Sequence, residues 1–158
     1  MTSTVDALRA SPLATELTPE EVQALSILIR VRKLATGETL LPEGARDGVL
    51  HVIAAGRINV AKSGPQGVSV LHTLGPGDLV GELSFMDDVP RYAALIADGP
   101  TEVLCLNRGD FESFVDKEPR AAYKVMRAIM RVAHTIQRRL SLQMRDLENY
   151  VYRTGAKY

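Results

Sequence analysis

A glycine, a carboxylate and a guanidinium lie within one stretch of eleven residues, at Gly81, Glu82 and Arg91. If a short helical turn begins at Gly81, its first backbone N–H groups are free and carry the positive end of the helix dipole, so they can hold a phosphate. Glycine lets the backbone approach closely, and Arg91 offers the same anion a planar, permanently charged fork. The three residues therefore predict an anion-binding pocket.

Glu82 would be repelled by a phosphate, but its carboxylate can accept hydrogen bonds from a neighbouring sugar hydroxyl. The pattern thus fits a ligand that carries a phosphate and a ribose together. The alternative is a plain surface turn, because Asp87, Asp88 and Pro90 are turn formers and Arg91 would then be solvated. We favour the pocket, since a turn does not explain why glycine, glutamate and arginine bracket the acidic loop.

The region from Ile29 to Asn107 alternates turn signals with short runs rich in β-branched residues. The turn "GPGD" fits a type II turn, because Pro76 fixes φ and Gly77 accepts the positive φ that follows. Many short strands with regular turns favour a closed or sandwiched all-β unit over parallel βαβ units. The predicted strands lie in "IRVRKL", "VLHVIAA", "RINVAK", "VSVLHTL", "AALIAD" and "EVLCLN".

Helix signals flank this β region. Thr18 can cap a helix, Pro19 suits its first position and Glu21 completes a capping box, which predicts a short helix over about 19–28. A second helix is expected after Asn107 and should break at Glu118–Pro119. A long helix follows, because apolar residues recur at helical spacing in two stripes. These stripes are Val125, Ile129, Val132, Ile136, Leu140, Leu147 and Val151, and Tyr123, Met126, Met130, Ala133, Leu140 and Met144.

The stretch "LHTLGPGDLVGELSFMDDVPRYAAL" resembles the phosphate-binding cassette of the cyclic nucleotide-binding domain family. The resemblance covers roughly residues 12–145. It implies a mainly β fold, an eight-stranded antiparallel jelly-roll β-barrel with a short N-terminal helix and two C-terminal helices. We expect a β-roll unit over 1–117, the long helix over 118–152 as a lid or dimerisation element of the same domain, and a flexible tail over 153–158.

The resemblance also assigns roles to individual residues. The cassette glycine and the residue after the glutamate donate backbone N–H groups to the cyclic phosphate, the glutamate binds the ribose 2′-hydroxyl, and the arginine pairs with the phosphate. The backbone after the arginine also faces the phosphate. The predicted ligand-binding residues are Gly81, Glu82, Leu83, Arg91, Tyr92 and Ala93.

The family pattern also predicts which residues contact the base. Two positions depart from it: Tyr92 replaces the usual alanine or serine and would narrow the pocket mouth, and Ala94 lacks the hydroxyl that assists guanine binding. The resemblance therefore implies a cyclic nucleotide as the ligand, with cyclic AMP favoured over cyclic GMP. Candidate base contacts are Val60, Leu71, His72, Ala94, Ile136 and Gln137.

Charge is zero overall but divides along the chain, with 10 basic and 17 acidic side chains in residues 1–119 against 9 and 2 in residues 120–158. The basic helix could bind nucleic acid, or it could be attracted to its own acidic domain. No aromatic interleaving or reading motif accompanies the charge, and only about eight residues follow the long helix, so we expect neither nucleic acid nor a DNA-reading domain as a partner. We expect a homodimer through residues 120–150 and an unidentified effector protein.

Targeting signals and cysteine usage complete the expectations. No apolar run approaches the roughly 20 residues of a membrane helix, and the N-terminus lacks a signal-peptide core, so we expect a cytoplasmic protein without membrane contact. Cys105 is the single cysteine, expected as a buried structural thiol that suits a reducing compartment.

Two other function classes compete with the sensor hypothesis. A cupin-like metalloenzyme needs clustered imidazoles, but His51, His72 and His134 are isolated in the sequence, so we expect no metal and no catalytic residues. A degenerate domain kept for protein–protein contact with an empty pocket is the other alternative, and Tyr92 is its best support. The intact Gly81 favours instead a non-catalytic sensor, whose C-terminal helices move when the ligand binds.

Overall fold

The computed structural model describes residues 3–155 and contains eight strands there. They are β1 (Ile29–Leu34), β2 (Thr39–Leu41), β3 (Val49–Ala55), β4 (Ile58–Gly64), β5 (Gly67–Leu74), β6 (Leu79–Val80), β7 (Ala94–Ala97) and β8 (Thr101–Asn107). All pairings are antiparallel, in two four-stranded sheets of order β1-β8-β3-β6 and β2-β7-β4-β5. This arrangement confirms the predicted eight-stranded jelly roll.

The two sheets enclose an apolar core because alternate residues of each strand point inward. In β7, for example, Leu95 and Ala97 are buried while Ala94 and Ile96 are half-buried. A second core lies between the sheet of β1, β8, β3 and β6 and the helices, and it includes Leu50, Phe85 and Phe111. The helices therefore pack on one side of the β-roll.

The described residues form five α-helices. They are α1 (Thr4–Ala10), α2 (Pro19–Ser26), α3 (Glu82–Asp87), α4 (Arg108–Lys117) and α5 (Pro119–Gly155). The predicted short N-terminal helix is α2, and an additional helix, α1, precedes it. The Ser3 side chain caps α1 by accepting a hydrogen bond from the Asp6 backbone N–H, and Leu8 of α1 is fully buried in the core.

The predicted caps and break are present. Thr18 and Glu21 form the capping box of α2, which ends at Ser26, two residues before the predicted end. The Asn107 side chain caps α4. Glu118 leaves helical geometry with φ −133° and ψ 64°, and α5 begins at the next residue. That helix extends to Gly155, beyond the predicted start of the tail, and residues 156–158 lie outside the described part of the chain.

The first turns of α5 hold the helix on the domain. Their small and β-branched residues are buried in the helix-facing core. Ion pairs flank them: the Lys124 ammonium lies 2.6 Å from the Glu21 carboxylate, and the Arg131 guanidinium lies 2.5 Å from that of Glu16. Basic side chains of α5 thus pair with acidic groups of their own domain. This agrees with the second interpretation of the helix charge, that the helix is attracted to its own acidic domain. None of the described helices is long and apolar enough to cross a membrane.

Ile129 provides a test of this anchoring. It is 3% exposed within the helix-facing core, whereas Ile27 is 83% exposed. We expect Ile129→Ala to lower the free energy of unfolding by about 2–5 kcal/mol, because it removes buried methyl groups and leaves a cavity. The matched Ile27→Ala change should alter it by less than about 0.5 kcal/mol. Urea denaturation of both variants measures the difference, and equal effects would show that α5 is not packed as described.

Candidate functional site

Arg91 is one of the few buried charged residues, with 8% of its surface exposed. Its Nη2 donates to Asp47 Oδ1 at 2.8 Å and to the Val49 carbonyl oxygen at 2.7 Å. Its Nε is buried and has no hydrogen-bond partner among the described residues. An unpaired buried donor on a cation is costly. Asp47 and the Val49 carbonyl oxygen therefore hold Arg91 through Nη2, while Nε has no partner among the described residues.

Gly81 supports this guanidinium directly. It precedes α3 with φ 93°, a conformation that favours glycine. A Cβ added at Gly81 would overlap the guanidinium of Arg91, with Cζ only 2.6 Å away. The absence of a side chain is thus what gives the arginine its place. Leu83 lies in the first turn of α3, where the prediction needs a free backbone N–H group.

Asp47 is the functional residue that the sequence analysis missed. It lies in the loop before β3, 44 residues from Arg91, and its Oδ2 lies 3.4 Å from His51 Nε2. Burial raises the pKa of the Asp47 carboxyl, but hydrogen bonds from His51 and Arg91 and their charges outweigh burial and lower that pKa to about 2. Asp47 therefore remains ionised and serves as the resident counter-ion of Arg91.

His51 and Cys105 extend the same network. His51 is 3% exposed, and its Nδ1 lies 3.3 Å from the Cys105 sulfur. Burial lowers the pKa of His51, and Asp47 only partly offsets this. Burial also raises the pKa of the Cys105 thiol. The sequence predicts that this cysteine is buried, whereas the structure leaves it partly exposed. Both side chains are therefore neutral near pH 7.

A cleft of about 1420 Å³ opens beside Arg91, between the sheet of β4, β5 and β7 and helix α5. It is lined by most of the predicted site residues, namely Val60, Leu71, His72, Gly81, Glu82, Arg91, Tyr92, Ala93, Ile136 and Gln137. Ala94 is not among the lining residues, whereas its neighbours Ala93 and Leu95 are. Successive strand residues face opposite sides, so the geometry does not support a base contact by Ala94.

Tyr92 lies at the rim of the cleft. Its side chain is 61% exposed, and the Lys62 ammonium lies 5.8 Å from the centre of its ring. A cation over an aromatic face is an attractive contact, and here it draws the ring toward Lys62. The cleft measures about 1420 Å³ with the Tyr92 ring in place, so the ring lies at the edge of the cleft and does not fill it.

Helix α5 forms the wall of the cleft opposite the β-roll. Ile136 packs against the core between the sheets, and Arg139 Nη2 lies 2.9 Å from the Asp78 carboxylate in the turn before β6. His72 lies in β5, near enough to this ion pair for both charges to act on it. Burial and the charge of Arg139 lower the pKa of His72, while Asp78 raises it less. An apolar wall with a few polar ends suits a planar aromatic base.

The groups at this site are suited to binding an anion. No group of three or more His, Cys, Asp and Glu side chains in residues 3–155 is placed to hold a metal ion. The groups that converge are a permanent cation with a free buried donor, a glycine-led backbone and the Glu82 carboxylate. They match an anion that also carries hydroxyl groups.

Comparison with known proteins agrees with this description. The family model of the cyclic nucleotide-binding domain matches residues 31–118, which is more than half of the chain. The chain therefore belongs to the cyclic nucleotide-binding domain family. The matched residues contain β2 to β8, the cassette and α4.

Individual relatives extend the likeness. The chain is 30% identical over 125 residues to the cyclic AMP receptor protein of Thermus thermophilus, covering 78% of this chain and 58% of the relative. It is 31% identical over 107 residues to the cAMP-dependent protein kinase regulatory subunit of Colletotrichum orbiculare, covering 68% of this chain and 27% of the relative. The chain thus spans only part of the length of these relatives.

Solved structures share the fold. A cyclic nucleotide-binding domain from Methylobacillus flagellatus superposes with a TM-score of 0.75 and 26% identity, over 86% of this chain and 77% of the other. The Thermus thermophilus catabolite activator protein gives a TM-score of 0.66 and 29% identity, over 85% of this chain and 63% of the other. Characterised members of the family are regulatory sensors rather than catalysts.

The Asp47 network predicts a specific dependence of stability on pH. The pKa of the Asp47 carboxyl is lowered in the folded protein from 3.8 to about 2. The ionised carboxylate therefore stabilises the fold above pH 3.8, and this contribution is lost as the pH falls through about 2. At neutral pH the ionised Asp47 adds roughly 2 kcal/mol to the free energy of unfolding.

We therefore expect Asp47→Asn to unfold more easily than the wild type at pH 7, with a difference that shrinks as the pH falls from about 5 to about 2. Urea denaturation at several pH values measures it. The exposed Asp98, paired with Arg57 at the surface, gives the control Asp98→Asn, which should change stability little. A difference for Asp47→Asn that stays constant down to pH 2 would contradict the assignment.

Proposed function

We propose that this protein binds a cyclic nucleotide in the cleft beside Arg91 and acts as a non-catalytic regulatory sensor, with cyclic AMP preferred over cyclic GMP. The observation that carries the proposal is the buried guanidinium of Arg91, which lines the cleft and packs against the bare backbone of Gly81. A cyclic phosphate is a monoanion that can accept hydrogen bonds from this guanidinium, and Glu82 lines the cleft where a ribose hydroxyl would follow.

The base end of the cleft supports adenine through Gln137. Its amide can both donate and accept a hydrogen bond, and it lies among the apolar residues Val60, Leu71 and Ile136. The preference for cyclic AMP therefore rests on Gln137 and on the relatives whose names mention cyclic AMP, because Ala94 does not line the cleft.

Helix α5 is the part of the chain that can report binding. Its first turns are packed in the core, and its later turns form the cleft wall. A ligand can shift the position of the helix only by its differential affinity for two positions. Contacts from Ile136 and Gln137 to the base would supply that difference, because they exist only when the wall lies close to the ligand.

Calorimetric titration with cyclic AMP and cyclic GMP tests the proposal. We expect Arg91→Ala to weaken binding by roughly 30-fold to several thousand-fold, because removing a buried charge-assisted contact costs on the order of 2–5 kcal/mol. Arg91→Lys should restore only part of the affinity, since lysine keeps the charge and loses the fork.

Arg46→Ala is the matched control, because Arg46 is exposed beside the same loop and pairs only with Asp88. It should bind as the wild type does. If the folded wild-type protein takes up neither nucleotide at millimolar concentration, the sensor proposal fails and a domain kept for protein contact replaces it.

We also propose that the readout involves a second copy of the chain along α5. Apolar residues recur on this helix at alternating steps of four and three, the spacing of a two-stranded coiled coil. Several of them are well exposed, including Met130, Met144, Leu147 and Val151. The series is Met126, Met130, Ala133, Gln137, Leu140, Met144, Leu147 and Val151, in which Gln137 is the polar exception.

Leu147 and Leu142 distinguish this seam from the rest of the helix surface. Both are exposed, at 62% and 54%, but Leu142 lies outside the four-and-three series. We expect Leu147→Asp to shift the protein from dimer to monomer at micromolar concentration, because the charge would be buried at the seam. Leu142→Asp should remain dimeric. Sedimentation equilibrium measures both, and a wild-type monomer at every concentration would contradict the dimer.

A further inference from the structure

His51 is a buried titratable group that the binding proposal does not use. Its ring lies between two partners on different elements, with Nε2 3.4 Å from Asp47 Oδ2 and Nδ1 3.3 Å from the Cys105 sulfur. Asp47 in turn contacts Arg91 at 2.8 Å. A continuous series of polar contacts therefore joins the phosphate-facing guanidinium to a histidine in the interior of the β-roll.

These partners accept either protonation state of the imidazole. In the neutral ring, Nε2 donates to the Asp47 carboxylate, which only accepts, and Nδ1 accepts from the Cys105 thiol. In the protonated ring, both nitrogens donate, and the sulfur can serve as a weak acceptor once the thiol hydrogen rotates away. No heavy atom has to move between the two states.

The charges around His51 determine which state is present. The groups that face it are Asp47 from the loop before β3, Arg91 from the loop before β7, Arg32 from β1 and Cys105 from β8. Burial lowers the pKa of His51, Asp47 raises it, and the two arginines lower it further. Without ligand, Arg91 and Asp47 cancel and the imidazole is neutral.

A cyclic phosphate changes this balance. It adds a negative charge beside Arg91, so that one guanidinium then faces two anions in a poorly solvated site. The phosphate also offsets the positive field of Arg91, which is one of the two charges that disfavour the imidazolium. Among the groups that face His51, only the imidazole can supply a compensating charge near neutral pH.

We propose that cyclic phosphate binding at Arg91 is coupled to the uptake of one proton from solvent by His51. The inference rests on the proposed function and adds a regulatory property to it. Linkage is reciprocal: if the ligand favours the protonated imidazole, a lower pH must favour the ligand. His51 is thus a positioning residue that acts on the phosphate through Asp47 and Arg91.

Calorimetry with cyclic AMP, repeated at each pH in buffers of different ionisation enthalpy, counts the protons taken up. Between about pH 8 and pH 5.5 we expect an uptake that rises toward about one proton, and a Kd that falls by at most about tenfold per pH unit. His51→Gln should abolish the uptake and flatten the Kd profile, because an amide can still donate to Asp47 but cannot bind a proton.

His134 also lines the cleft and provides the matched control, so His134→Gln should retain the uptake. In His72→Gln, which changes a residue of the predicted base site, the protons taken up per ligand bound should stay the same even where the affinity changes. A measurement on the wild type does not depend on the stability of any variant. In an NMR titration of the histidine rings, His51 should titrate at a higher pH in the complex than in the free protein.

The outcomes separate the two proposals. Binding without proton uptake, or uptake that disappears with His72→Gln and persists with His51→Gln, overturns the coupling and leaves the proposed function intact. A His51 titration that is unchanged by ligand also overturns it. The absence of any binding by folded protein overturns the proposed function, and the coupling with it.

Discussion

A guanidinium packed against the bare Cα of Gly81 is the contact on which the site depends. Burying a permanent charge is unfavourable unless it is paired, and Arg91 is only 8% exposed. Asp47 and the Val49 carbonyl oxygen satisfy one of its nitrogens and leave Nε unpaired. The loop before β3, the start of α3 and the segment before β7 must therefore all meet at this arginine.

Residues whose roles arise from nearby sequence could be predicted. The caps at Thr18 and Asn107, the break at Glu118 and the cassette from Gly81 to Arg91 all depend on neighbours within about a dozen positions. Asp47 could not be found in this way, because its contact with Arg91 spans 44 residues and its own surroundings resemble an ordinary turn. A histidine inside the apolar run "VLHVIAA" was the available signal, since a buried imidazole needs a polar partner.

Helix α1 and Ala94 show where local signals end. No sequence prediction includes α1, although its Ser3 cap with Asp6 is the same kind of signal that identified α2, because the helix is held by Leu8 in the core that the helices share with a sheet. The base contact of Ala94 is implied by the family resemblance alone. In a strand an offset of one residue reverses the side that a residue faces, and Ala93 and Leu95 line the cleft in its place.

Helix α5 joins two regions with different constraints. Val125 and Ile129 fix its first turns, because they are buried and small movements there would open voids. Farther along, the Arg139–Asp78 pair is partly exposed, and such pairs stabilise a contact only weakly. The packing of Ile136 and this ion pair are the contacts that hold the later turns, beside what fills the cleft and what covers the exposed seam. A ligand in the cleft and a partner on the seam would bias the same helix.

The contacts of Arg91 order its guanidinium before any ligand binds. Asp47 engages Nη2, and Nε has no partner among the described residues. An arginine that is already held in place reduces the entropy that binding must spend on ordering it. A bound phosphate would leave two anions on one cation. The proposed uptake of a proton by His51, the titratable neighbour in direct contact with Asp47, would offset that excess.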